Sequence, residues 1–297
     1  AASAQLEPDG EVVVSTEVVD PDPGFASLGQ GRTVVAWVDR SRDGGQLVEL
    51  LRGRWLDPEL NTIRDAVLAV AYESELALIL CPQVTAIGLD RVVFTWLEST
   101  AGVRRVVYRV VGGDGAPLTE KLFAYPPREN QDDECPQIRG RLQGFVIAWS
   151  GRSLGARTYS NDGQPTSPPI TLGLPASFAH VPALAIDRNG GFAAAWVGRP
   201  TPTAPDTLLL RRFARDGKPL GRAIAITDHE VLRVALVESG LGFELVWNRR
   251  FQSGRTSIRG VRFGRDLLTR SPVRTILTSD SAVLSGAAVD LFGRTIL

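Results

Sequence analysis

Only a few residues in this sequence have types that could support catalysis or ligand binding. The two histidines, His180 and His229, can act as general acids or bases near neutral pH. Each stands close to the start of a predicted inner strand, where its imidazole would reach one mouth of a channel. We therefore take both as candidate ligand-binding residues, with ordinary loop histidines as the alternative. No residue is assigned as catalytic from the sequence.

The densest cluster of charge is the acidic run Glu129-Asn130-Gln131-Asp132-Asp133-Glu134. Carboxylate oxygens are the ligands that Ca²⁺ prefers in proteins. The run is therefore the candidate metal site, with Glu129, Asp132, Asp133 and Glu134 as its ligands, and a solvated loop is the alternative. Apart from calcium at this run, the sequence predicts no cofactor.

The two cysteines open equivalent segments, Cys81-Pro82-Gln83-Val84 and Cys135-Pro136-Gln137-Ile138. Equivalent positions of adjacent repeats would lie near each other. A disulfide between Cys81 and Cys135 is therefore the favoured interpretation if the protein resides in an oxidising compartment. Two buried free thiols are the alternative.

Tryptophan marks the repeat that must position these groups. Five of the six tryptophans end short apolar runs and are separated by 59, 53, 47 and 51 residues; they are Trp37, Trp96, Trp149, Trp196 and Trp247. A tryptophan directly after an apolar strand predicts a core role, with a ring of carbohydrate-stacking platforms as the alternative. Trp55 lies outside the pattern and follows Arg52-Gly53-Arg54, so we expect it to be more exposed, and it is the aromatic candidate for ligand binding.

A second repeated feature is an Asp-Gly pair that falls between the tryptophans. It occurs at Asp9-Gly10, Asp114-Gly115, Asp162-Gly163 and Asp216-Gly217. Tight hairpin turns need a positive φ, which glycine tolerates, so the flanking apolar runs are predicted strands of antiparallel units. Segment 287–297 resembles the opening half of a unit, and segment 4–14 resembles the second half. Joined in a closed ring, the two halves make a sixth unit without open strand edges.

The predicted fold is therefore all-β, a single six-bladed β-propeller over residues 1–297 with four-stranded antiparallel blades. Blades one to five cover about 24–71, 81–125, 135–174, 180–227 and 230–277. The last blade combines 281–297 with the N-terminal strands of 1–19.

The composition excludes several partner classes. Its 33 basic and 33 acidic residues balance, so a general nucleic-acid binder is excluded and no nucleic-acid partner is predicted. No stretch approaches the roughly 18 consecutive apolar residues of a membrane span. The chain begins with the small residues Ala1-Ala2-Ser3-Ala4, which suit a cleaved signal peptide and equally an engineered boundary.

The units carry a Gly-apolar-Ala-Trp strand and a later Arg-Phe-x-x-Asp-Gly-x-Pro-Leu-Gly turn, most fully at 191–196 and 212–221. In these motifs the chain resembles secreted or surface-located bacterial β-propeller repeat proteins. The resemblance implies the propeller fold and a secreted, periplasmic or cell-surface location. The resemblance matches no catalytic family, so no site residue is assigned from it.

Missing catalytic groups and fold analogy favour a non-enzymatic recognition scaffold, a monomer that binds protein or glycan through its loop faces. One alternative is a glycan-binding lectin with sites between blades, which needs exposed aromatic side chains. Another is a hydrolase or lyase with its site at the channel mouth, which needs His180, His229 and nearby carboxylates to converge on one pocket.

Overall fold

The computed structural model describes residues 23–43, 45–72, 75–126, 133–151, 153–173, 182–198, 207–228, 230–251, 253–280, 284, 288–289 and 295–296. These residues form strands joined by turns, and the helical segment among them is the 3₁₀ turn Gly29–Gly31. Within these ranges no helix is long and apolar enough to cross a membrane.

The described strands form five four-stranded antiparallel sheets in which strands consecutive in sequence lie side by side. Sheet one contains β1 (Gly24–Ser27), β2 (Thr33–Asp43), β3 (Gln46–Leu56) and β4 (Thr62–Tyr72). Sheet two contains β5 (Ala77–Ile87), β6 (Arg91–Thr100), β7 (Val103–Gly112) and β8 (Leu122–Phe123). Sheet three contains β9 (Gln137–Arg141), β10 (Gly144–Trp149), β11 (Leu154–Tyr159) and β12 (Ile170–Gly173).

Sheet four contains β13 (Ala183–Ile186), β14 (Phe192–Gly198), β15 (Thr207–Phe213) and β16 (Pro219–Thr227). Sheet five contains β17 (Val231–Glu238), β18 (Gly242–Arg250), β19 (Thr256–Gly264) and β20 (Arg274–Ser279). A two-stranded hairpin follows, made of β21 (Ala288–Val289) and β22 (Thr295–Ile296).

The five sheets coincide with the five predicted complete blades, which confirms the all-β assignment and the blade boundaries to within a few residues. The hairpin β21–β22 falls in the predicted opening half of blade six. Its predicted partner strands, in residues 1–19, lie outside the described residues. The structure therefore shows five four-stranded sheets and does not show six.

The chain divides into two compact units. Unit one comprises Ala1–Ile147 and Tyr159–Thr166, and unit two comprises Ala148–Thr158 and Ser167–Leu297, so the division runs through sheet three. Each unit has its own hydrophobic core. The core of unit one includes Leu51, Trp55, Phe94 and Trp96, and the core of unit two includes Leu208, Leu245 and Trp247.

Strand β6 is apolar on both of its faces, and both faces are buried. In β6 the consecutive residues Val92, Val93 and Phe94 are all fully buried, and Trp96 follows them at the same depth. A strand with this pattern packs between layers rather than facing water on one side. The apolar runs that precede each repeated tryptophan thus have a structural cause.

Three of the four Asp-Gly turns have the geometry that the sequence predicts, and the fourth, Asp9-Gly10, lies outside the described residues. Gly115, Gly163 and Gly217 adopt φ values of +81°, +78° and +84°. The amide of Gly217 donates to the carbonyl of Ala214 at 2.9 Å and closes the turn. Each turn joins the third and fourth strands of its sheet, so hairpin geometry accounts for the repeated motif.

The first strands of sheets one, two and three approach one another backbone to backbone. A Cβ added to Gly24 of β1 would lie 2.9 Å from the Cα of Gln83 in β5. A Cβ added to Gly140 of β9 would lie 1.7 Å from the carbonyl oxygen of Ala86 in β5. Glycine is therefore required at both points, and β5 lies between β1 and β9 within unit one.

Candidate functional site

Unit one contains an open cavity between two hairpin turns. Its volume is about 400 Å³, within the range of small-molecule sites. It is lined by Ile87, Gly88, Leu89, Asp90, Arg91, Asn161 and Asp162. We call it the turn cavity, because residues 87–91 form the β5–β6 turn and residues 161–162 belong to the β11–β12 turn.

Two carboxylates reach the turn cavity from these separate turns, and an arginine holds each of them. Arg32 Nη2 lies 3.2 Å from Asp90 Oδ1, and Arg91 Nη1 lies 2.5 Å from Asp162 Oδ1. Both carboxylate side chains are mostly exposed, at 69% for Asp90 and 76% for Asp162. Each acidic group therefore has an arginine partner and remains open to a ligand from solvent.

Backbone hydrogen bonds anchor the turns that carry these groups. The amide of Gly113 donates to the carbonyl of Asp90 at 2.8 Å. Asn161 Nδ2 donates to the carbonyl of Leu142 at 3.3 Å. Asn161 Oδ1 is buried and accepts no hydrogen bond from the described residues.

A second feature of unit one is Arg139, in the middle of β9. Burial lowers the pKa of its guanidinium below its ordinary value. Its Nη1 donates to the carbonyl of Ile138 at 2.9 Å, and the side chain remains partly accessible. Within the described ranges no carboxylate pairs with it, although buried arginines normally have acidic partners.

Other pKa shifts belong to exposed turns. In the β15–β16 turn the hydrogen bond from the Lys218 side chain, followed by that from the Lys218 backbone, lowers the pKa of Asp216. The same pair raises the pKa of Lys218. In the β3–β4 turn the side chain of Asn61 lowers the pKa of Asp57. These are turn-stabilising contacts and lie in neither the turn cavity nor β9.

The expectation that Trp55 is exposed is wrong. The side chain is 1% exposed and packs on Phe94 with ring centroids 5.8 Å apart. The preceding arginines misled the prediction because each is neutralised within the sheet, Arg52 by Asp39 and Arg54 by Asp65. Charged residues beside Trp55 therefore do not draw it to the surface.

The repeated tryptophans are buried as predicted, at 0–4% exposure. None offers a ring face to solvent, so the exposed aromatic platforms that the lectin alternative needs are absent from the six tryptophans. The indole of Trp247 donates instead to the buried carboxylate of Asp228 at 2.8 Å. Arg249 and Arg259 also pair with Asp228, at 3.3 and 2.8 Å.

The candidate histidines and half of the candidate metal ligands cannot be placed, because His180, His229, Glu129 and Asp132 lie outside the described residues. Asp133 is buried, and its carboxylate accepts hydrogen bonds from the Tyr125 hydroxyl and the Val106 amide. Glu134, next in sequence, is exposed. Across the described ranges, no group of three or more acidic, histidine or cysteine side chains could hold a metal ion.

Cys81 and Cys135 form a disulfide with their Cα atoms 5.4 Å apart. It joins β5 to the segment before β9, within unit one. Equivalent placement in adjacent repeats explains why residues 54 apart in sequence meet.

Residues 151–155 match the Gly-x-Ser-x-Gly pattern of a nucleophilic serine. That pattern works in a strained turn from a strand into a helix. Ser153 instead lies exposed in the hairpin between β10 and β11, and no basic or acidic partner accompanies it among the described contacts. The motif match therefore carries no catalytic role.

Sequence reasoning missed the turn cavity and Arg139. Asp162 was recognised as a turn residue, and its turn geometry is correct, but nothing local shows that it meets the turn containing Asp90. The two aspartates are more than 70 residues apart in sequence. Only the stacking of sheet two against the 159–166 hairpin brings them together.

No protein-family model matches the chain, and no curated protein matches it. Among solved structures it is similar to an α-L-arabinofuranosidase of Fusarium graminearum in complex with arabinobiose, at 13% identity and a TM-score of 0.50, over 88% of this chain and 82% of that one. It is also similar to the endo-arabinase of Bacteroides thetaiotaomicron, at 11% identity and a TM-score of 0.43, over 92% and 97% of the two chains. These two neighbours are β-propeller glycosidases, and identity this low shows the fold alone.

The likeness to an α-L-arabinofuranosidase contradicts the expectation of a non-enzymatic recognition scaffold. That expectation rested on fold analogy with binding propellers and on missing catalytic groups. The fold is shared with an enzyme, so fold analogy no longer favours a non-enzyme.

Proposed function

We propose that the protein is a glycan-active enzyme of the hydrolase class, with the turn cavity as its active site. The observation that carries the proposal is the pair of exposed carboxylates, Asp90 and Asp162, at one cavity of about 400 Å³. The fold it shares with an arabinofuranosidase supports the same class. Its substrate would be a polysaccharide or oligosaccharide.

Glycoside hydrolysis is commonly carried out by two carboxyl groups on opposite sides of the scissile bond. One group donates a proton to the departing oxygen, and the other activates water or attacks the anomeric carbon. In the turn cavity, Asp90 and Asp162 would fill these two roles. Each uses Oδ1 for its arginine, which leaves Oδ2 available to the sugar.

The remaining lining groups suit sugar binding. Asn161 lines the cavity, and a side-chain amide can hydrogen-bond to a sugar hydroxyl. Arg91 contacts both the Asp162 carboxylate and, at 3.2 Å, the carbonyl of Asn161. It therefore fixes the geometry of the second turn, and oriented groups of this kind lower the barrier by positioning the reactants.

The experiment is a screen of the purified protein against polysaccharides and aryl glycosides, with release of reducing sugar or aryl alcohol as the readout. We expect at least one substrate to be cleaved. Asp90→Asn and Asp162→Asn should each lower kcat by about 100-fold or more, as loss of a general acid or base does. Asp280→Asn, which removes a carboxylate from an exposed ion pair with Arg255, should leave kcat unchanged. No cleavage of any substrate, or full activity in both cavity variants, would overturn the proposal.

We also propose that the fold is a closed ring of six blades, completed by strands from residues 1–19. The hairpin β21–β22 supports this, because it occupies the predicted opening half of blade six. A truncated variant without residues 1–19 should unfold at a lower temperature, since the hairpin would lose its partner strands. An unchanged midpoint of unfolding would argue against the sixth blade.

An extracytoplasmic location is part of the proposal. The disulfide between Cys81 and Cys135 supports it, because such bonds persist in oxidising compartments. Polymeric glycans are also encountered mainly outside the cell. Fractionation of the source cells would test the location directly.

A further inference from the structure

Arg139 lies in the interior of unit one without a carboxylate partner among the described residues. Arg52 is paired with Asp39 at 2.8 Å, and Arg54 is paired with Asp65 at 2.6 Å. Arg139 bonds to the carbonyl of the residue before it and to no carboxylate in the described part of the chain. A cation withdrawn from water without a partner destabilises the fold.

The strands beside Arg139 supply uncharged polar groups. In β9 the partly accessible positions are Gln137, Arg139 and Gly140, while Ile138 is buried. In β5 the partly accessible positions include Gln83 and Thr85, on either side of buried Val84. Thr85 Oγ1 accepts a hydrogen bond from the Gly140 amide at 2.8 Å, so β5 and β9 are held together at this level.

No acidic side chain of β1, β5 or β9 balances the guanidinium, because these three strands contain none. The nearest preceding carboxylate that the structure describes as buried, that of Asp133, accepts hydrogen bonds from Tyr125 and Val106. The wall formed by β5 and β9 therefore presents one positive charge among amide and hydroxyl groups. We call it the first-strand wall.

We propose that the first-strand wall is a binding site for a carboxylate, held by the guanidinium fork of Arg139 with Gln83 and Gln137 as flanking hydrogen-bond donors. The planar fork matches a carboxylate in bidentate geometry. Amide and hydroxyl groups beside the fork suit the hydroxyls of a sugar acid. The carboxylate could belong to a sugar acid or to a small free acid, and the two sources share this chemistry. The site is separate from the turn cavity and does not depend on hydrolysis.

The test measures the midpoint of thermal unfolding at fixed ionic strength with added sodium glucuronate, sodium acetate or glucose. Binding to the native state raises Tm with ligand concentration. We expect glucuronate to raise Tm of the wild-type protein and glucose to have no effect. A larger effect of glucuronate than of acetate would identify a sugar acid, whereas equal effects would identify a small free carboxylate.

Arg139→Gln should abolish the response to carboxylates. Without ligand its Tm should equal or exceed that of the wild type, because an uncompensated charge has been removed. Arg157→Gln is the matched control, since Arg157 is also partly buried and donates to a carbonyl, that of Ser167 at 3.0 Å. It should retain the response.

The proposal is overturned if neither carboxylate raises Tm, or if Arg139→Gln responds as the wild type does. It is also overturned if Arg139→Gln lowers Tm strongly without ligand, because the guanidinium would then have a structural partner. Asp90→Asn should keep the carboxylate response. The cleavage assay therefore tests the turn cavity, and the rise in Tm with carboxylate tests the first-strand wall, so either proposal can fail without the other.

Discussion

At the scale of single residues, the exposed pair of Asp216 and Lys218 shows how the turns are stabilised. Lys218 lowers the pKa of Asp216, first through its side-chain hydrogen bond and then through its backbone amide, at 3.1 Å from Asp216 Oδ1. A carboxyl whose pKa is lower in the folded state stabilises the fold above its unfolded pKa. That contribution is lost as the pH falls through the folded pKa.

Carboxyl NMR titration should therefore find the pKa of Asp216 below its ordinary value of 3.8. In Lys218→Met the pKa should move back toward 3.8, but incompletely, because the backbone hydrogen bond remains. An unchanged pKa in the variant would show that the side chain of Lys218 contributes nothing to the turn.

The buried carboxylate of Asp228 should matter far more for stability. It is 4% exposed and receives Trp247, Arg249 and Arg259. Asp228→Ala leaves an indole N–H and two guanidinium groups without their partner. The arginines are about a quarter exposed (26% and 27%), so water compensates in part, and we expect a loss of about 3 kcal/mol at most.

Urea denaturation followed by tryptophan fluorescence measures this loss. Asp280→Asn is the control, because Asp280 is 89% exposed in its pair with Arg255. Exposed pairs contribute little to stability. Equal stability of Asp228→Ala and the control would contradict the structural role of the buried carboxylate.

At the scale of elements, the contact between β5 and β9 depends on a missing side chain. A Cβ at position 140 would lie 1.7 Å from the backbone oxygen of Ala86. Because the obstacle is backbone, one strand must shift. Gly140→Ala should therefore lower the free energy of unfolding by about 1–3 kcal/mol, as measured by denaturant titration.

Gly29→Ala is the matched control for this substitution. Its added Cβ would meet only the Leu89 carbonyl oxygen at 3.5 Å, an ordinary contact. We expect a change within about 0.5 kcal/mol. If Gly140→Ala were equally harmless, the close approach of β5 and β9 would be wrong.

At the scale of the whole molecule, the disulfide closes a long loop between Cys81 and Cys135. Constraining a loop of this length in the unfolded chain stabilises the folded state by about 4 kcal/mol in the chain-entropy model. Cys81→Ser with Cys135→Ser should lower Tm accordingly. The wild type should show no reactive thiol when unfolded without reductant, and detection of two would refute the bond.

The sequence predicted the architecture well and the site poorly, for physical reasons. Tryptophan spacing and Asp-Gly turns report local requirements of strands and hairpins, so all five complete sheets could be outlined from them. Asp90 and Asp162 meet through packing of distant turns, which leaves no local pattern. Arg139 cannot be told from the many exposed arginines by residue type. Only the structure shows that it lies in β9 without a carboxylate partner among the described residues.

For Trp55 the local sequence predicted an exposure that the structure does not show. Two neighbouring arginines suggested exposure, but pairing with Asp39 and Asp65 allows the strand to remain buried. Charges close in sequence thus say little about burial when carboxylates across the sheet neutralise them.

The most direct test of the central claim is azide rescue of the cavity carboxylates, with the aryl glycoside that the wild type cleaves. Asp90→Ala and Asp162→Ala should each lose about 100-fold or more in kcat. Azide should restore one of them, as its nitrogen bonds to the anomeric carbon while the aryl alcohol leaves, and the product should be a glycosyl azide. Wild-type kcat in both variants, or no azide product from either, would contradict a carboxylate mechanism at the turn cavity.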